Sequence, residues 1–509
     1  MSSTAPPAAG PAPVGKPDDG GGLDRGVLAV AAVVVLGAIM SILDVTVVNV
    51  AIRDLSQEFD APLSQIQWIA TGYTLALATV IPVTGWAASR FGTKRLYMIS
   101  IGLFVIGSGL AGMAWSAESL IAFRVLQGLG GGMIMPAGMT ILTQKAGPQR
   151  VGQVMSVVGI PMLLGPISGP ILGGWLVDDV SWRWIFYINV PIGIVALLMA
   201  WRILDRDTPQ PGEKLDVLGL LLLSPGLATL IYGLATGAEK GAFDSTEVIA
   251  CTVIGAALVI GFVLRALRAA VPLIDLRLFK RRSVATASGT MVLFNLAFFG
   301  AMLLMPLFYQ VVRGESAFHT GLLLIPQGIG AMITMPIGGK LVDKIGPGRI
   351  VLGGLVLVTA GMAGFTSLID TDTSGLLLGV ALFVMGLGMG LTMMPTMSAA
   401  MQTLAHDEVP RASTALNIIQ QVAGSIGTAA ISVLLTTQLS DRLPGAGEGG
   451  IGAATNVPPE AAALILPKIA DAFAATFWWA TGLLVLAFIP ALFLPRRKPD
   501  AAVNVMPMH

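Results

Sequence analysis

The chain has 509 residues, 54% of them hydrophobic and only 12% charged, with 30 Lys and Arg, 29 Asp and Glu, and a net charge of +1. A soluble globular protein carries about 25% charged residues, so a water-soluble surface is excluded, and the near-neutral balance leaves no electrostatic footprint for nucleic acid. The single cysteine, Cys251, rules out an intrachain disulfide and a thiolate cluster, and the three scattered histidines form no ligand pattern, so neither a metal nor a cofactor is expected.

In chain order, residues 1–26 are rich in Pro, Gly and Ala and read as a disordered tail without the basic start or cleavage site of a secretory signal. From Val27 onward, windows of roughly 20 apolar residues predict fourteen spanning helices, at 27–51, 66–88, 96–115, 120–143, 152–177, 184–204, 216–236, 248–266, 284–308, 321–342, 350–369, 376–404, 414–437 and 471–494. A membrane barrel would show alternating ten-residue strands instead, so the fold class is all-α integral membrane. With the N-terminus inside, 23 of the 30 Lys and Arg fall in inner segments and 6 in outer ones, which orients the chain with both termini in the cytoplasm.

Two motif frames repeat. GWAASRFGTKR (85–95) has a counterpart in GKLVDKIGPGR (339–349), and RVLQGLGGGMIMP (124–136) in FVMGLGMGLTMMP (383–395), at offsets of 254 and 259 residues. The spacing divides the chain into two six-helix bundles, residues 27–205 and 284–494. Two extra helices and a basic cytoplasmic linker occupy 206–283, and 495–509 form a cytoplasmic tail. In the repeated frame, Gly85 with Gly339 and Gly92 with Gly346 allow close packing and a tight turn. Arg90, Lys94, Arg95 and Lys344 put cations at the inner face, where Arg90 or Lys344 could cap a helix C-terminus, and Asp343 stands where the first half has Ser89.

Three features carry candidate chemistry. Asp44 interrupts the middle of the first span, nine residues from the outer Arg53 and therefore about 13 Å deep. A carboxylate there is costly unless it faces protein and marks an ion path. Arg124 lies about one turn inside the fourth span, with Gln127 and Gly128 following on its face. In the fifth span, GIPMLLGPISGPILGG places Gly165, Gly169 and Gly173 four residues apart for close helix contact, while Pro161, Pro166 and Pro170 remove helix hydrogen bonds, as a flexing gate requires. The repeat counterparts of Asp44 and Arg124 are not ionisable, so proton chemistry is expected in the first half. The second half contributes apolar surface, with Asn49, Gln127, Phe298, Phe299 and Met394 as candidate substrate-cavity residues.

The set LDVTVVNVAI, GWAASRFGTKR, RVLQGLGGG, GPISGPILGGW and SWRWIFYINVPIG resembles the major facilitator superfamily, and within it the fourteen-helix drug:proton antiporters of EmrB/QacA type, over residues 27–494. The resemblance implies a plasma-membrane efflux transporter, not an enzyme, working by alternating access. It implies that Asp44 and Arg124 couple protons and that the glycine-proline run is the antiporter motif. Implied partners are a small amphipathic substrate, protons and membrane lipid, with an envelope adaptor protein a further candidate and a monomer otherwise. An uncoupled facilitator, or a lipid or metabolite translocase on the same fold, is the alternative. No GxxxxGK[ST] phosphate loop supports an ATP-driven pump.

Overall fold

The computed structural model describes residues 24–48, 51–147, 150–206, 209, 214–240, 243–269, 272–370, 373–405, 408–443 and 459–496. All regular structure among them is helical. The helices are α1 (Arg25–Val48), α2 (Ile52–Glu58), α3 (Leu63–Val80), α4 (Thr84–Phe91), α5 (Thr93–Gly112), α6 (Ala117–Ala146), α7 (Val151–Asp179), α8 (Trp184–Tyr187), α9 (Asn189–Ile203), α10 (Val217–Lys240), α11 (Thr246–Arg268), α12 (Arg282–Val311), α13 (Ala317–Ile345), α14 (Pro347–Ser367), α15 (Gly375–Met401), α16 (Val409–Arg442) and α17 (Pro459–Ala491). A 3-10 turn, Ile81–Val83, runs α3 into α4 as one rod, and α8 leads into α9 in the same way.

Thirteen of these rods are long and apolar enough to cross a membrane among the described residues. The 29-residue α7, in which several side chains lie outside the described residues, occupies the place of the remaining expected span. Pro166 and Pro170 are among those side chains, and the α7 backbone stays helical through both.

Helix starts follow local chemistry. Ser116, Ser245, Ser316 and Ser374 each accept an N-terminal amide hydrogen of α6, α11, α13 and α15, filling donors that a helix start leaves open. Gly92 and Gly346, between α4 and α5 and between α13 and α14, have almost the same backbone, φ 95°, ψ 148° and φ 86°, ψ 152°. That region is open essentially to glycine alone, so the repeated glycines each build the same tight turn.

Within Arg25–Ile203, α6 packs on α3 and α5, and α1 on α7 and α9; within Arg282–Ala491, α15 packs on α13 and α14, and α12 on α16 and α17. Between these sets, α7 lies along α13, and α16 touches α4 and α6. The extra hairpin is not peripheral. α10 packs on both α3 and α16, and Ser224 of α10 donates to the Thr79 carbonyl of α3 at 2.6 Å.

The contacts between the two sets gather at the face that carries the basic loops. Ser413 Oγ donates to the Pro136 carbonyl at 3.1 Å, a carbonyl of α6 that accepts across the interface. A methyl on Gly85 would stand 3.0 Å from Thr414 Oγ1 and 3.3 Å from the Pro410 carbonyl oxygen, so α4 and α16 touch backbone to backbone there. Within the second set, Arg281 before α12 grips the Glu408 carboxylate before α16 through both terminal nitrogens at 2.8 and 2.7 Å. Arg90 and Lys344 stand in the last turns of α4 and α13, where a cation suits the helix dipole. The cation that closes another helix is Lys94, whose Nζ donates to the Trp201 and Leu204 carbonyls at the end of α9, at 2.8 and 2.7 Å. Arg95 is exposed at the start of α5.

Candidate proton-coupling site and cavities

Asp44 projects into protein from the last turns of α1, four residues before its end at Val48, and is 1% exposed. α7 makes this orientation possible. A methyl on Gly169 would fall 2.0 Å from Thr46 Oγ1, and one on Gly165 2.1 Å from Ile42 Cγ2, with Gly173 against Val47. Three glycines on one stripe of α7 thus let α1 press its backbone in, and Thr46 Oγ1 bonds across to the Gly165 carbonyl at 3.2 Å. The packing fixes the rotation of α1 and turns Asp44 toward the bundle interior.

On the opposite side, α6 approaches α3 through Gly128 and Gly132, where a methyl would meet the Tyr73 and Leu77 carbonyl oxygens at 2.6 Å. That approach brings Arg124, also 1% exposed, onto Asp44: its Nη1 donates to Asp44 Oδ2 in a buried ion pair. Asp44 Oδ1 accepts two further hydrogen bonds, from Gln127 Nε2 at 2.7 Å and Asn189 Nδ2 at 3.1 Å. Arg124 is itself held elsewhere. Its Nη1 donates to Gln127 Oε1 at 2.7 Å, its Nε to the Ile69 carbonyl at 3.3 Å, and its guanidinium carbon sits 4.1 Å from the Tyr73 ring centroid. Ser108 completes the shell, with the Asn189 amide 3.1 Å from its Oγ and its own hydroxyl donating to the Phe186 carbonyl at 2.9 Å.

A carboxylate buried among apolar helices is costly unless its charge is paired and its lone pairs are used; this one meets one cation and two amides. Protonation would cancel the charge that Arg124 neutralises and weaken three bonds together. The guanidinium would keep Gln127, the Ile69 carbonyl and the Tyr73 ring.

Asp44, Arg124 and Gln127 are thus brought together, and Gln127, expected among cavity residues, is part of this shell because it stands one turn from Arg124 on the same face of α6. Sequence reasoning did not single out Tyr73, Ser108 or Asn189. Asn189 lies inside the quoted SWRWIFYINVPIG, and an amide just before an apolar helix was the available signal. Asn49 lies outside the described residues.

The other expected cavity residues line three separate spaces. Met394 lines a cavity of about 20 Å³ with Met135, Met139, Met393, Asn295 and Gln420. Phe298 borders one of about 10 Å³ with Gln327 and Met389, and Phe299 one of about 220 Å³ under α10. The rings of Phe294, Phe298 and Phe299 form the partition, with centroids 6.0 and 5.1 Å apart. No ionisable side chain among the described residues lines any of the three. Asn295 is 1% exposed, and its Nδ2 has no hydrogen-bond partner.

The second repeated frame forms a different device. Asp343 Oδ1 and Oδ2 accept the backbone amide hydrogens of Gly152 and Gln153 at 3.1 and 3.2 Å, across from α13 to the start of α7. A methyl on Gly152 would stand 2.7 Å from the Gly339 carbonyl oxygen. In the first frame, Ser89 donates only to the Gly85 carbonyl of its own helix, at 3.2 Å.

Comparison with known proteins agrees with this architecture. The family profile described as Major Facilitator Superfamily matches residues 34–428. The "Multidrug resistance protein B homolog" of Mycobacterium tuberculosis (strain H37Rv) is 45% identical over 97% of this chain and 96% of its own length. The "Multidrug export protein EmrB" of Escherichia coli (strain K12) is 32% identical over 80% of this chain and 79% of its own. The "Tetracenomycin C resistance and export protein" of Streptomyces glaucescens is 31% identical over 81% and 76%. Among solved structures, the proton:xylose symporter XylE shares the fold with a TM-score of 0.59 at 14% identity, over 92% of this chain and 94% of that one. With its apolar helices, its repeated turns and these matches over most of its length, the chain belongs to the major facilitator superfamily, among the EmrB-like transporters.

Proposed function

We propose that this protein exports small amphipathic compounds, monocationic, zwitterionic or neutral, across the plasma membrane in exchange for protons. In this reading the halves 27–205 and 284–494 alternate in access to a central cavity, the helix pair of 206–283 braces them, and both termini are cytoplasmic. The relatives' names support export of drugs. The observation that carries the coupling step is the Asp44 carboxylate, buried inside a spanning helix about one turn from its end and bonded to donors from α6 and α9. A proton from outside neutralises Asp44, loosens α1 from α6 and α9, and so shifts the balance between conformers. Return of the proton to the cytoplasm restores the ion pair. The membrane potential supplies about 2.3 kcal/mol per elementary charge per 100 mV, added to the pH gradient. The protein acts as a monomer here, with an envelope adaptor protein as a candidate partner.

The test uses purified protein in proteoliposomes and a compound to which expression confers resistance. An imposed pH gradient should drive its transport by wild type and collapse with a protonophore, while Asp44→Asn should insert normally and not respond. Transport indifferent to the gradient would instead establish an uncoupled facilitator.

A further inference from the structure

A chamber under α10 is the roomiest of the three cavities, and the Asp44 site does not use it. Its volume of about 220 Å³ compares with about 20 Å³ for the methionine-lined cavity. A cavity of about 150 Å³ already holds a benzene molecule. Thr74 of α3, Ile231 of α10, Phe299 of α12 and Gln420, Gln421 and Thr428 of α16 form its walls, so both halves and the extra hairpin contribute. Gly424 lets the Phe299 ring lie against α16, since a methyl there would be 3.0 Å from its Cδ2.

The polar groups of this chamber are not all spent. Thr74 and Ser425 donate to the carbonyls one turn back, of Ala70 and Gln421. The side-chain amides of Gln420 and Gln421 have no partner among the described residues. Half-buried amides without a protein partner favour a hydrogen-bonding guest, and walls without an ionisable group among the described residues disfavour a permanent charge. Gln420 and Gln421 lie three and four residues after Asn417, and Gly424 and Thr428 continue the same face of α16 at further steps of three or four. Gln420 lines both this chamber and the methionine-lined cavity, so its side chain stands between them alongside the phenylalanine partition.

We propose that this chamber is a binding station for uncharged amphipathic substrates, which lay their apolar body on Phe299 and Ile231, bond to Gln421, and pass Gln420 to the central cavity. The proposal rests on the export reading above and adds a second site that selects by charge.

Two variants test it: Gln421→Leu keeps the volume and removes the amide, and Thr428→Phe fills the space. Resistance on expression and efflux from everted vesicles are measured for a panel of uncharged and permanently charged compounds, with chloramphenicol and tetraphenylphosphonium as the reference probes. Both variants should lower export of uncharged compounds at least five-fold and leave permanent cations within two-fold of wild type, which also reports that they fold. Equal losses in both classes, no loss in either, or a wild type that exports no uncharged compound would overturn the proposal. The export reading itself fails only if the wild type exports neither class.

Discussion

The Asp343 carboxylate accepts the backbone amide hydrogen of Gly152 at 3.1 Å, from 191 residues away in the chain. Its other oxygen takes the Gln153 amide at 3.2 Å. The residue before α7, Arg150, offers no side-chain cap, so this helix borrows its N-cap from α13. An N-cap bond made across the interface exists only while the inner ends are together.

Asp343→Ala should therefore favour inner opening. Loss of an N-cap costs about 0.5–2 kcal/mol, enough to shift a conformer ratio by roughly two- to thirty-fold. Met155, fully buried one turn further along α7, provides the reporter. A Met155→Cys protein on a Cys251→Ser background should react faster with a water-soluble maleimide from the inner face once Asp343 is removed. Unchanged reactivity would mean that the bond caps α7 without latching the halves.

The Asp44–Arg124 pair should behave as a unit. Breaking a buried pair by removing one partner costs about 3–5 kcal/mol, because a charge is left alone. Asp44→Asn and Arg124→Gln should each lower the unfolding temperature in detergent, and the double variant should recover most of that loss. None of the three should respond to a pH gradient. A double variant that still transports with the gradient would remove Asp44 from the coupling scheme.

Gly169 should tolerate no larger side chain. A methyl already falls 2.0 Å from Thr46 Oγ1, so Gly169→Val must push α1 away from α7 and turn Asp44 off its donors. Overpacking costs about 1–3 kcal/mol, and efflux should fall by more than the loss in protein level. Gly174, with nothing within 4 Å of an added methyl, is the control: Gly174→Ala should be close to wild type in both measurements.

Asn295 should trade stability for recognition. Its Nδ2 is buried and unpaired beside Met394, and an unsatisfied amide costs about 1–3 kcal/mol. Asn295→Leu should raise the unfolding temperature while narrowing the range of compounds exported, with hydrogen-bonding substrates lost first. A fall in unfolding temperature would show that the amide is satisfied within the protein.

Much of the Asp44 site was legible because charge is conspicuous in an apolar run. Asp44 and Arg124 stand out against their neighbours, and the glycine stripe of α7 announces close packing. Tyr73, Ser108 and Asn189 do not stand out, since neutral polar residues occur throughout spanning helices and their partners come from helices distant in sequence. Phe298, Phe299 and Met394 read as one apolar surface, yet each borders a different cavity. Adjacent helical residues point about 100° apart, and only neighbouring helices decide which space each one meets.

From the sequence alone came the membrane class, the spans, the doubled frame with its glycine turns, and the one mid-span acid, because hydropathy, charge and backbone permissiveness are local properties. The tertiary structure alone decided that Arg124, Gln127 and Asn189 share one carboxylate, that Asp343 caps α7, and that α10 roofs a chamber between the halves. Those are matters of helix rotation and approach, set by which small residues let which backbones touch.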